Sequence, residues 1–159
     1  MKLIGFNFTK ISAQKSEKFN QEYSTNTNID IANITEQTMD FLKEPAVKIS
    51  FKFTVFYTPK GKETPKMGEL VLEGDILFSA QAEEAKDIQK SWKKKDEKSI
   101  PIGFKVPLFN LILKKCTPKS LELEDSLGLP PHLPMPSLKA TAKPDSKSET
   151  KPNKTEDKK

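Results

Sequence analysis

The 159-residue sequence contains no arginine; all 27 of its basic residues are lysine. A chain without arginine forgoes the rigid, bidentate fork that grips phosphates and guanine edges, so a basic pI is weaker evidence for nucleic-acid recognition than it would otherwise be. One cysteine (Cys116) and one histidine (His132) exclude a disulfide framework, a Cys/His zinc site within one chain and a plausible Cys-His nucleophile pair. Glycine is scarce, at six residues, and none of them forms a phosphate-cradling loop. No apolar run approaches the roughly 18 residues needed to span a membrane. Met1 to Phe8 alternates and contains Asn7, which argues for a strand over a signal peptide. A soluble, cytoplasmic protein without a cofactor or metal is the expectation.

Charge is unevenly spread along the chain. Residues 139–159 hold seven Lys against four acids and, apart from Ala140 and Ala142, nothing apolar; that composition cannot offset the entropy of ordering and predicts a disordered, Lys-rich tail. The preceding body, residues 1–138, carries a net charge of only +2 and is expected to be one α+β domain. The high pI therefore owes more to the tail than to a basic stripe.

Within the body, hydrophobic alternation predicts four strands. Lys2 to Ser12 aligns Ile4, Phe6 and Phe8 until Ile11 breaks parity, which indicates a bulge or the strand's end. The polar stretch from Ala13 to Ser24, anchored by Phe19 and Tyr23, is long enough to cross a sheet. Thr25 to Ile34 forms the second strand, and a connection carrying Met39, Phe41 and Leu42 follows. In the third, Ala46 to Tyr57, Val47, Ile49, Phe51, Phe53, Val55 and Tyr57 share one face, the pattern of a half-buried antiparallel strand. Met67 to Ser79 returns with Leu70, Leu72, Ile76 and Phe78 inward; Gly74 lies on the same face, at a bulge or a close approach.

Helical spacing then takes over. Ala85, Ile88 and Trp92 share a face, with Glu83 and Glu84 early and lysines late, as the helix dipole favours. A second helix is predicted from Pro107 to about Cys116, apolar nearly all round and so buried. A third would start at Pro118 and stop at Gly128. Leu129 to Pro136, with four prolines, should be extended. The fold class is α+β: a four-stranded antiparallel sheet followed by two or three helices on one face.

Chemistry-bearing residues are sparse. Glu83, Glu84, Glu122, Glu124 and Asp125 are best explained as solvated helix faces, and His132 among prolines as a surface residue. Cys116 follows Lys114 and Lys115 but ends an apolar helix, which favours a small core residue over a reactive thiol. Two surfaces are candidates for binding. One is apolar, drawn from Phe6, Phe8, Phe104, Phe109, Leu129 and Leu133, since the apolar residues exceed what a small sheet easily covers. The other is basic: Lys48, Lys52 and Phe56 on one sheet face, with Lys93, Lys94 and Lys95 and the tail.

A first strand ending Phe8-Thr9-Lys10-Ile11-Ser12, a crossover, strands like Asn28 to Ile34, Val47 to Tyr57 and Gly68 to Phe78, a helix entered by Pro107-Leu108-Phe109 and a Leu/Pro segment together resemble the SecB-like family of export chaperones, over about Met1 to Leu138. The resemblance implies a non-enzymatic protein that forms dimers or tetramers and holds unfolded or apolar polypeptide. The short last helix and the Lys-rich tail, acidic in the bacterial protein, depart from that pattern, and docking to a translocation ATPase is not carried over. The alternative is a ribosome- or RNA-associated accessory protein working through the lysines.

Overall fold

A computed structural model of the chain describes residues 2–37, 45–92 and 100–137. Met39, Phe41, Leu42, Lys93 to Lys95 and the predicted tail lie outside the described residues. Four strands, β1 (Lys2–Lys15), β2 (Tyr23–Gln37), β3 (Ala46–Pro59) and β4 (Gly68–Ser79), precede two helices, α1 (Ala82–Trp92) and α2 (Ile102–Leu127). The strands form one antiparallel sheet in the order β1-β4-β3-β2, so the segment after β1 crosses from one edge to the other. Backbone bonds from Ser16 to the Met67 carbonyl and from Lys60 to the Glu22 carbonyl tie that crossover down. β1 and β2 run several residues beyond their alternating cores, because Lys15 still pairs with Gly68 and Tyr23 with Pro59; ladder pairing outweighs the polar composition there.

The core lies on one face of the sheet. All six inward residues of β3, Val47 to Tyr57, are fully buried, packed with Leu70, Leu72 and Ile76 of β4 and with Ala85, Ile88, Trp92, Leu108, Ile112 and Cys116 of the helices. The parity break in β1 is a bulge: register shifts between Phe8 and Lys10, which returns Ile11 to the inner face opposite Leu72. A second shift between Leu3 and Gly5 takes Ile4 out of the ladder. Gly74 lies opposite both Phe8 and Phe51, and a Cβ there would come within 2.8 Å of the Phe51 ring and 2.5 Å of the Asn7 carbonyl oxygen. The missing side chain is what lets the Phe51 ring lie across the strand and meet Phe6 at a centroid distance of 5.3 Å.

Two predicted helices prove to be one. α2 begins at Ile102, one turn before Pro107, and continues through Pro118 to Gly128. Each interior proline removes a helical hydrogen bond at a cost of about 3 kcal/mol, the usual reason to end a helix. Both are solvent-exposed here, so the carbonyls they free face water, while Leu108, Ile112, Cys116, Ser120 and Glu124 form an unbroken buried stripe on the other side. Packing of that stripe on the sheet overrides the local break. The helix is accordingly not buried all round: Ile102 and Val106 are 78% and 52% exposed.

Candidate functional site

The two ends of α2 meet the sheet differently. At the N-terminal end, Phe78 closes β4, and its ring meets that of Phe104 edge-on at 6.0 Å. These rings, with Ile88 of α1 and Pro107, Leu108 and Leu111 of α2, line an open cavity of about 530 Å³ whose rim carries Glu84 and Asp87. Its size and apolar lining suit a ligand side chain or a short apolar segment. No sequence motif marked this groove; Phe78 and Ile88 read as ordinary inward residues, and in the structure Phe78 is only partly covered while Ile88 forms the buried floor.

At the C-terminal end the sheet is covered. Gly128 takes a left-handed conformation (φ 59°), and the Gly128 and Leu129 N–H groups close onto the carbonyls of Asp125 and Glu124. The chain then doubles back with Leu129 only 5% exposed, so Leu129 is a core residue and not part of an apolar surface. His132 is likewise not a surface residue: its side chain is 2% exposed, edge-on to Phe53, with Nδ1 2.7 Å from Glu124 Oε1. Glu124 is also inward, contrary to the expectation of a solvated face. It receives the Tyr57 hydroxyl (2.9 Å) on Oε1 and the His132 backbone N–H (3.2 Å) on Oε2. Burial and the neighbouring Glu124 push the Tyr57 hydroxyl pKa up, which keeps it a proton donor. The clue to Glu124 was in the sequence, four residues after Ser120 in the stripe begun by Leu108.

The other predicted apolar residues do not form one patch. Phe6 and Phe8 are half-buried on β1, their rings 5.2 Å apart, packed against the core. Phe109 is half-buried beneath the Lys105 ammonium, 5.1 Å from its ring centroid. Leu133 is 44% exposed beyond His132. Cys116 is buried, and burial pushes its thiol up to about 12, which fits the core reading.

On the outer sheet face, Lys48 and Lys52 are opposed by acids on β4. Lys48 Nζ lies 3.0 Å from Asp75, and Lys52 Nζ lies 3.9 Å from Glu73, which Lys10 also approaches at 3.7 Å. Burial disfavours ionised Asp75, but hydrogen bonds from Ser50 and Lys48 outweigh it and hold the carboxyl below its usual range. This face is a mixed-charge ladder rather than a basic stripe.

Among the described residues no helix is long and apolar enough to cross a membrane, and no group of three or more potential ligands is placed to hold a metal. No protein-family model matches the sequence, nor does any curated protein. Among solved structures, the chain is similar to the SecB-like chaperone Rv1957 of Mycobacterium tuberculosis, determined in complex with a peptide from the HigA1 antitoxin. The two superpose with a TM-score of 0.51 at 13% identity, over 90% of this chain and 91% of that one. The chain has the SecB-like fold.

Proposed function

We propose that this protein is a non-enzymatic, cytoplasmic chaperone that binds unfolded or apolar polypeptide, export-bound chains among them. The observation that carries the proposal is the open groove between α1 and the first turns of α2, where Phe78 and Phe104 lie accessible with Leu111 and Pro107 beside them. An extended chain would place apolar side chains in the groove and leave its own backbone hydrated at the mouth. The fold it shares with a chaperone solved with a bound peptide supports the same reading.

Oligomerisation to a dimer or tetramer belongs to this proposal. β1 is a long edge strand with Leu3, Ile4 and Ile11 exposed, and such an edge is a template for pairing with another strand. The exposed Ile102, Val106 and Leu113 of α2 add a second apolar strip. The RNA-binding alternative is disfavoured at Lys48 and Lys52, because a phosphate there would compete with Asp75 and Glu73 already in place.

The test is light scattering of an aggregating client with the protein at stoichiometric amounts, its mass in solution measured in parallel. Suppression of aggregation, insensitive to moderate salt, is expected. No suppression, or RNA binding that falls steeply with salt, would replace this reading with the alternative.

A further inference from the structure

The segment after α2 folds back onto the inner sheet face, anchored in the core by Leu129 and in the polar cluster by His132. Residues 129–137 contain Leu129, Leu133 and Met135 among four prolines, bend at His132 and Leu133, and add neither helix nor strand to the fold. Leu129 lies over Gly68, where a Cβ would come within 3.2 Å of its methyl group, and His132 lies against Phe53 in the middle of β3. Among the described residues, every hydrogen bond from 130–137 to the rest of the chain ends on Tyr57 or Glu124. Tyr57 donates within 2.7 Å of the Pro130 carbonyl, and Glu124 accepts from the ring and the backbone N–H of His132. One polar cluster therefore fastens the segment. Beyond it, Leu133 and Met135 are 44% and 57% exposed. Gly128, in its left-handed turn and gripped at its carbonyl by Lys15 Nζ at 2.8 Å, is the pivot.

We infer that residues 129–137 are a displaceable strap, an intramolecular occupant of the sheet face over Phe53 and Tyr57, latched by Glu124 to His132 and competing with incoming polypeptide for that face. The competition rests on the chaperone reading; the latch does not. Proline lowers the conformational entropy of the released strap, so fewer contacts are needed to hold it down. A client segment offering comparable apolar contacts exchanges for it while Leu108, Ile112 and Cys116 of α2 stay packed on the sheet. The strap thereby shields a second apolar surface, distinct from the groove at Phe78 and Phe104, until polypeptide is present.

Amide hydrogen exchange on the full-length wild-type protein tests this, with reduced and carboxymethylated α-lactalbumin as the unfolded probe. Without probe, the amides of Leu129 and His132 should exchange through local opening, faster than those of β3. Exchange of both only at the rate of global unfolding would overturn the latch. With saturating probe, the strap amides should exchange roughly ten-fold faster or more while β3 stays protected; unchanged or slower strap exchange with probe bound would overturn the competition. Failure of the probe to bind at all would remove the chaperone reading and the competition with it. The latch is then decided by His132→Ala and, as a second variant, Glu124→Gln. Roughly ten-fold faster exchange confined to 129–137, the fold-change expected for losing a charge-assisted hydrogen bond, with increased binding of an apolar dye, supports it. Unchanged strap exchange in a folded variant overturns it.

Discussion

The two ends of α2 bury similar sheet faces by opposite means. The C-terminal end is closed by a Leu/Pro segment and a saturated polar cluster of Tyr57, Glu124 and His132; among the described residues the N-terminal end stays open around Phe78, Phe104 and Leu111. The contrast separates stability from accessibility. A buried carboxylate with its donors in place holds a segment down, whereas apolar rings without a cover leave surface for a partner. Substitutions should therefore cost folding free energy at the closed end and binding at the open one.

The largest effect is expected from Glu124→Leu. It retains approximate volume but strands both His132 donors in a buried site, leaving the Tyr57 hydroxyl only the Pro130 carbonyl as acceptor, and should cost about 3 kcal/mol in urea unfolding. Tyr57→Phe, which removes one donor and leaves the carboxylate bonded to His132, should cost about 1 kcal/mol. Equal losses for the two variants would mean that packing, and not the polar cluster, closes this end.

Next comes Gly74→Ala, at the inner sheet face shared by both ends. The new methyl would overlap the Phe51 ring and the backbone carbonyl of Asn7, and only the ring can move, so a loss of about 2 kcal/mol is expected. An unchanged unfolding midpoint would show that the β1 bulge opposite absorbs the methyl.

At the open end, Phe104→Ser should change stability by only about 1 kcal/mol, since the ring is partly exposed, while weakening client binding about ten-fold through loss of its contact surface in the groove. Titration of a fluorescent apolar peptide checks this. Wild-type affinity in the variant would move the binding surface elsewhere. Cys116 offers a control: with its thiol pushed up to about 12, it should not react with a disulfide reagent at pH 8 until α2 is lifted from the sheet. Strap release should leave it unreactive.

The sheet and its inner face were legible in the sequence because both depend on strict alternation, from Val47 to Tyr57 and from Leu70 to Phe78, with the β1 bulge marked by a single parity break at Ile11. α2 was misjudged because Pro107 and Pro118 are strong local stop signals, and only the i+4 stripe from Leu108 to Glu124 shows that tertiary packing would override them. The groove was half legible: Phe104 was named, but its partners Phe78 and Ile88 come from other elements, and no local pattern states which inward residues the helices leave uncovered. The polar cluster was missed because Glu124 and His132 are residue types that usually face water. Their burial depends on a turn at Gly128 bringing positions eight residues apart onto Tyr57, which lies 67 residues earlier than Glu124.

The smallest predicted effect is on the outer sheet face, where neither end of α2 reaches. Asp75 titrates below its usual range because Ser50 and Lys48 favour its charged form more than partial burial disfavours it. A carboxyl with a depressed folded-state pKa adds stability above its unfolded pKa, and that stability is lost as pH falls through the lower, folded value. Wild-type stability should therefore decline on acidification below the ordinary aspartate range, and Asp75→Asn should flatten part of that decline. Because the Lys48 and Asp75 side chains are 34% and 26% exposed, solvent screening limits the difference at neutral pH to about 1 kcal/mol or less. Lys48→Ala should remove part of the same pH dependence, since the Ser50 hydroxyl, 2.7 Å from Asp75, remains as a donor. If both variants keep the full wild-type acid slope, this ladder does not set it.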